Sequence, residues 1–124
     1  ADIVQALPTY TNLVIALKDM SQCLSRLLAN DLAANRAMQE DFLINLEAHA
    51  LTKKIHRECV EMMRRTQARF LTGQAYSDVG AFAAAQMLIT INFNYALKAM
   101  PSLPANPDDR HQMIAEILEL VIRK

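Results

Sequence analysis

The feature that most constrains this chain is a run of 64 residues, from Thr9 to Thr72, that contains neither glycine nor proline. Glycine and proline are the residues that most often end helices and form turns, so this run favours long helices over many short strands. The whole chain of 124 residues has only two glycines and four prolines. We therefore predict an all-α fold, and the length predicts a single domain, 1–124.

Apolar residues recur along most of the chain at spacings of three and four, the period of an amphipathic helix. The boundaries come from Pro8 at a first turn, a polar interruption near 30–36, Gly73 as a left-handed helix end, Pro101 as a stop, and Asn106 as a cap before a proline and two acids. We predict a four-helix bundle with helices at 9–29, 33–72, 78–100 and 107–123.

The second predicted helix is too long for one small bundle. From Asp31 to Thr72 a helix would span about 63 Å, whereas a compact chain of this size has a radius of gyration of about 14 Å. Either it kinks near 46–52 or a second chain covers its surplus apolar surface. Because no residue there would kink a helix sharply, we predict a homodimer. The residues predicted to self-associate are apolar: Met38, Phe42, Leu46, Met62, Met63 and Phe70.

Composition limits the compartment and the partners. Thirteen Lys and Arg balance thirteen Asp and Glu, so the chain as a whole is not a polyanion binder. The two cysteines, Cys23 and Cys59, are too few for a secreted disulfide scaffold. We expect free thiols in the cytoplasm, with one bridge between packed helices as the alternative. No signal peptide is apparent, and the start at Ala1 leads us to expect part of a longer protein.

A run of 19 uncharged residues, 79–97, approaches the length of a membrane span. Its polar members, Gln86, Thr90, Asn92 and Asn94, make a poor span, so we expect a fully buried central helix and no membrane partner.

One stretch, from Lys53 to Arg69, is basic. It predicts a surface for an acidic partner, with nucleic acid as an alternative function and an ordinary solvated helix face as the plainest interpretation. No aromatic residues alternate with the cations, which weakens the nucleic-acid interpretation. The cationic residues are Lys53, Lys54, Arg57, Arg64, Arg65 and Arg69.

Two histidine arrangements suggest chemistry. His56 and Cys59, one helical turn apart, suit half of a zinc site, whose other ligands would have to come from Cys23, His111 or a second chain. The same pair suits a thiol with its base, but no oxyanion donor accompanies it. The string Ala48-His49-Ala50-Leu51-Thr52-Lys53 resembles the phosphorelay site of histidine phosphotransfer domains, although the Lys stands one position late and the Gly is absent. That resemblance implies a signalling bundle with His49 as phosphoacceptor.

The prediction for function is a non-enzymatic protein–protein interaction module: a dimeric helical adaptor, chaperone or regulatory domain. No paired carboxylates, nucleophile elbow or phosphate loop is apparent. We accordingly predict no catalytic residues, metal, cofactor or small-molecule substrate.

Overall fold

A computed structural model describes residues 12–30 and 46–124, with side chains for 12–29 and 53–124. Within these ranges all the regular structure is helical, which confirms the all-α prediction for the described part of the chain. The four described helices are α1 (Leu13–Asn30), α2 (Leu46–Phe70), α3 (Asp78–Ala96) and α4 (Pro107–Ile122). Residues 33–45 of the predicted long helix lie outside these ranges, so its length stays a prediction.

Two helix starts have side-chain caps. Asn12 Oδ1 accepts hydrogen bonds from the backbone N–H of Val14 at 2.8 Å and of Ile15 at 3.3 Å, which fixes the start of α1. Asn106 Oδ1 accepts from the N–H of Asp109 at 3.1 Å, with Pro107 as the first helical residue. The predicted start of the last helix is therefore confirmed, because its signal is local and complete.

The end of α3 was predicted wrongly. The helix ends at Ala96 rather than at residue 100, because Lys98 adopts a left-handed conformation with φ 61°. The Lys98 N–H donates to the Tyr95 carbonyl at 2.9 Å, and the Ala99 N–H donates to the Asn94 carbonyl at 2.8 Å. These two bonds form a Schellman end, in which glycine usually takes the position that lysine holds here.

The contacts between helices fix their relative directions. Ser21 and Lys18 of α1 reach His111 and Asp108 of α4, so these two helices run in the same direction. The short loop after α2 makes α3 antiparallel to α2, and the start of α3 lies against the end of α4. Consequently α1, α2 and α4 share one direction and α3 opposes them.

The α3 helix is central: it packs against each of the other three. Small residues on its buried face allow this close approach, namely Gly80, Ala81, Ala84 and Ala85. The expectation of a fully buried helix was wrong, however, since Val79 is 71% exposed and Phe82 58% exposed. Among the described helices, none has the length and hydropathy needed to cross a bilayer.

The α3–α4 interface is closed at one end by a glycine and a buried amide. A Cβ on Gly80 would lie 2.9 Å from the Ile122 carbonyl oxygen, so the two main chains touch. Gln67 of α2 is buried beside them, and its Nε2 donates to the carbonyls of Ser77 at 2.9 Å and Ile122 at 3.1 Å. One side chain thereby joins the ends of α2 and α4 to the start of α3.

Candidate partner-binding groove

An apolar groove lies between the α1 and α2 helices, and α3 contributes to its lining. Its volume is about 630 Å³. The α1 wall carries Met20, Leu24 and Leu27, and Leu88 of α3 also lines the groove. The α2 wall carries Ile55, Cys59 and Met62.

Helical periodicity places these residues on the two walls. On α1, Met20, Cys23, Leu24 and Leu27 stand at i, i+3, i+4 and i+7, which is one face of a helix. On α2, the positions 55, 59 and 62 follow the same spacing. Each wall is thus a continuous apolar stripe, and both stripes face the groove.

Charged side chains border the groove on both sides. Arg26 on α1 and Arg57 on α2 line it, together with Glu58. Further along α2, Arg65 Nε lies 3.2 Å from Glu61 Oε1 in an exposed i,i+4 pair. The border therefore places three arginines and two glutamates around an apolar floor, an arrangement that suits a ligand with an apolar face and polar edges.

Both cysteines of the chain line this groove, and both are free thiols, as predicted. Burial, with a smaller contribution from Glu58, raises the pKa of Cys59 to about 12. Burial first, and then the Asp19 carboxylate, also raises the pKa of Cys23, although Arg26 acts in the opposite direction. Both are protonated at neutral pH, which argues against the nucleophilic Cys59–His56 pair considered from the sequence.

The six cationic residues of the predicted basic surface are all exposed, on the side of α2 that faces away from the core. Arg57 and Arg65 also line the groove. Arg64 Nε lies 3.5 Å from Asp78 Oδ1, and the Arg69 guanidinium lies 5.5 Å from the centre of the Phe70 ring. Accessibility agrees with a binding role but does not by itself select a partner.

The predicted self-association residues separate into three groups. Met62 is 4% exposed and Met63 is 0% exposed, so both are buried in the core formed by the described helices. Met62 also lines the groove. Phe70 is half-buried against the core. Met38 and Phe42 lie outside the described residues, and Leu46 begins α2 with its side chain outside the described set. Met63 is therefore part of the core in the described helices, and self-association stays a prediction.

The histidine hypotheses gain no geometric support. His49 lies in α2, but its side chain is outside the described set. His56 is half-buried. Among the described side chains, no group of three or more His, Cys, Asp or Glu is placed to hold a metal ion.

A buried polar cluster, Ser21, Asn92 and His111, was missed from the sequence. Ser21 Oγ lies 2.7 Å from His111 Nδ1, and Asn92 Nδ2 donates to Ser21 Oγ at 3.1 Å. A polar residue within an apolar stretch, as Asn92 is, was the available signal. Its partners lie too far away in the sequence to be paired by pattern.

No protein-family model matches the chain, no curated protein is significantly similar to it in sequence, and no solved structure is significantly similar to it in fold.

Proposed function

We propose that this chain is a non-enzymatic interaction module that binds an amphipathic helix of a partner protein in the α1–α2 groove. The observation that carries the proposal is the groove itself, a largely apolar space of about 630 Å³ between α1 and α2. Recognition of a helix in a groove uses apolar anchors at i, i+3, i+4 and i+7. The two wall stripes have the same repeat, so a third helix laid between them contacts both.

Surface chemistry supports a protein ligand in particular. Met20 and Met62 line the groove, and methionine side chains adapt to differently shaped apolar surfaces. A volume within the range of about 300–1,000 Å³ typical of ligand pockets holds a few large side chains rather than a whole helix. The anchors would thus enter the groove while the helix backbone lies at its border.

The border charge favours acidic residues beside the apolar face of that helix. Arg26, Arg57 and Arg65 outnumber Glu58 and Glu61 at the groove. The excess continues along α2, where Lys53 and Lys54 are exposed. Complementary charge raises the association rate and suppresses wrong partners. A basic helix would meet the arginines at both walls and bind more weakly.

A synthetic peptide tests the proposal directly. We would use a fluorescein-labelled 18-residue helix with leucines at i, i+3, i+4 and i+7 and glutamates beside them, and measure fluorescence anisotropy. We expect saturable binding that is weakened about tenfold by Leu27→Asn, since the groove then loses part of its apolar wall. The matched control is Leu120→Asn, which changes another exposed leucine, on α4, and should leave the affinity unchanged.

A second pair of variants examines the charge. Arg57→Glu should weaken binding of this acidic peptide, whereas Lys54→Glu, one turn away and outside the groove lining, should have a smaller effect. A lysine-flanked version of the peptide should bind more weakly to the unaltered chain and more tightly to Arg57→Glu. Equal effects of both substitutions on both peptides would contradict docking in the groove.

Other occupants give different results in the same assays. If a labelled DNA duplex bound more tightly than the peptide, the basic stretch would be assigned to nucleic acid instead. That binding would depend strongly on salt and would be weakened equally by Lys54→Glu and Arg57→Glu. A dimer in sedimentation that Leu27→Asn dissociates would assign the groove to a second copy of this chain. Absence of peptide binding at micromolar concentrations, with the chain folded by circular dichroism, would overturn the proposal.

A further inference from the structure

The buried cluster of Ser21, Asn92 and His111 joins three helices at one point. Ser21 is fully buried on α1, Asn92 is 5% exposed on α3, and His111 is 3% exposed on α4. Asn92 Nδ2 also donates to the Leu88 carbonyl at 3.0 Å, so both of its amide protons are used. The cluster therefore adds directional bonds to the apolar packing of α1 against α3 and α4.

The arrangement of these bonds suits a neutral His111 that accepts a hydrogen bond at Nδ1. Because Asn92 donates to Ser21 Oγ, the serine hydroxyl is free to donate onward, and its neighbour at 2.7 Å is His111 Nδ1. To accept that proton, Nδ1 must carry none, which is the neutral imidazole with its hydrogen on Nε2. Protonation would place a hydrogen on Nδ1 and reverse the bond, leaving the serine proton without its acceptor.

The surroundings of His111 also oppose a positive charge. Burial is the main cause that lowers its pKa, and positive neighbours add to it. Lys18 and Arg26 act from α1, Arg110 from α4 itself, and Asp108, the one acid among these neighbours, already lies 2.7 Å from Lys18 Nζ. From α3 the cluster meets the neutral groups Asn92 and Tyr95, and the Tyr95 ring lies 4.0 Å below the Arg110 guanidinium.

The same residues stand directly behind the groove. Ser21 follows Met20, whose side chain lines the groove, and the Leu88 carbonyl that accepts from Asn92 belongs to another groove residue. A change in the position of α1 at Ser21 consequently moves one wall of the groove relative to Leu88.

We infer that His111 is a proton switch for the groove: protonation reverses the Ser21–His111 bond and places a charge in the core, which shifts α1 against α3 and α4 and displaces the α1 wall. That the displacement weakens partner binding rests on the proposed function, whereas the displacement itself does not. Acidification is thus expected to open the bundle on the side of the groove while α2, α3 and α4 keep their mutual contacts.

A tryptophan placed in the groove reports the displacement without any partner. The chain contains no tryptophan, so Leu27→Trp gives a single emission signal from the α1 wall. Between pH 7.5 and pH 5 we expect a cooperative shift of this emission to longer wavelength, with helix content by circular dichroism nearly unchanged. Adding His111→Gln to the Leu27→Trp chain should abolish the shift, because glutamine keeps a hydrogen-bond acceptor but cannot titrate. Adding His56→Gln instead should leave the shift in place.

Ring-proton NMR of the Leu27→Trp chain provides a second measurement that does not require the His111→Gln variant to fold. Coincidence of the His111 titration midpoint with the emission midpoint supports the switch. Midpoints more than about one pH unit apart would overturn it, as would an emission shift that survives in a folded His111→Gln chain.

Peptide affinity is then measured on the chain with Leu27 intact. Binding at least fivefold weaker at pH 5.5 than at pH 7.5, with His111→Gln insensitive to pH, supports control of binding. An emission shift with no peptide binding at any pH would contradict the proposed function but would still support the switch. Binding that is unaffected by pH across the emission shift would show that the switch does not govern the groove.

Discussion

The α3–α4 interface and the α1–α2 interface each join two helices of the same small bundle, yet one is closed and the other is open. At the first, a Cβ on Gly80 would lie 2.9 Å from the Ile122 carbonyl oxygen, and Gln67 completes the hydrogen bonding. At the second, a groove of about 630 Å³ separates the helices. The difference lies in the residues that face each interface.

Small residues and directional hydrogen bonds characterise the closed interface, whereas large flexible side chains characterise the open one. The close main-chain contact at Gly80 leaves no space for a different packing of α3 against α4, so it specifies one relative position of these two helices. Methionines, thiols and arginines at the groove hold the helices apart and can repack around a ligand. The comparison teaches that stability should be concentrated at the closed interface and recognition at the open one.

The largest expected effect is that of Gly80→Val. Its side chain would have to displace the main chain at Ile122 and at Lys124, whose carbonyl carbon would be 3.0 Å from the new Cβ. We expect the free energy of unfolding to fall by about 3 kcal/mol, measured by urea denaturation. Gln86→Val, at an exposed position of the same helix, should cost less than about 0.5 kcal/mol. Equal losses would mean that the close approach is not what stabilises this interface.

Gln67→Met should have the next largest effect. Methionine keeps the size of the side chain but donates no hydrogen bond. The Ile122 carbonyl then loses its buried amide donor, and the Ser77 carbonyl keeps only the Gly80 N–H. A loss of about 2 kcal/mol in the free energy of unfolding is expected, again from urea midpoints. The control is Gln86→Met, the same substitution at an exposed position. If both variants lost a similar free energy of unfolding, the hydrogen bonds of Gln67 would contribute little to stability.

The third prediction concerns pH and the buried cluster. The pKa of His111 is lowered in the folded state, so between the ordinary histidine value of about 6.5 and that lowered value only the unfolded chain binds the proton. The contribution of neutral His111 to the free energy of unfolding is fully present above about pH 6.5. As the pH decreases below that value, this contribution falls by at most about 1.4 kcal/mol per pH unit. The loss levels off below the folded-state pKa.

Urea midpoints at pH 7.5, 6.5 and 5.5 measure this slope. Because other histidines and the carboxylates contribute their own proton binding, the relevant quantity is the difference between the unaltered chain and His111→Gln. We expect that variant to have a shallower slope, and His56→Gln to keep the original one. A slope unchanged by His111→Gln would exclude the buried cluster as the source of the pH dependence.

The sequence predicted what local chemistry determines. The start of α4 was found because Asn106 and Pro107 carry the whole signal within two residues, and the exposure of the basic side of α2 follows from helical periodicity. The end of α3 was missed because Lys98 takes a left-handed position where the pattern offers no glycine. The backbone conformation of Lys98 and the two local hydrogen bonds beside it reveal that end.

The groove and the buried cluster could not be predicted for a different reason. Ser21 and His111 are 90 residues apart, and nothing in either neighbourhood identifies the other as its partner. Likewise, two apolar stripes on separate helices look the same whether the helices touch or diverge. Met63 shows the consequence: its apolar stripe was recognised, but the sequence did not show that the core of the described helices buries it.

The smallest expected effect on stability is that of Leu27→Ala, at the open interface. Leu27 is 37% exposed and lines the groove, whereas its neighbour Leu28 is 2% exposed in the core. We expect Leu27→Ala to cost less than about 1 kcal/mol in the free energy of unfolding, and Leu28→Ala to cost about 3 kcal/mol, since only the second leaves a buried cavity. Peptide binding should show the reverse order, with Leu27→Ala impaired and folded Leu28→Ala nearly normal. If Leu27→Ala destabilised the fold as much as Leu28→Ala, the groove would be part of the core, and the contrast between an interface that stabilises and one that binds would fail.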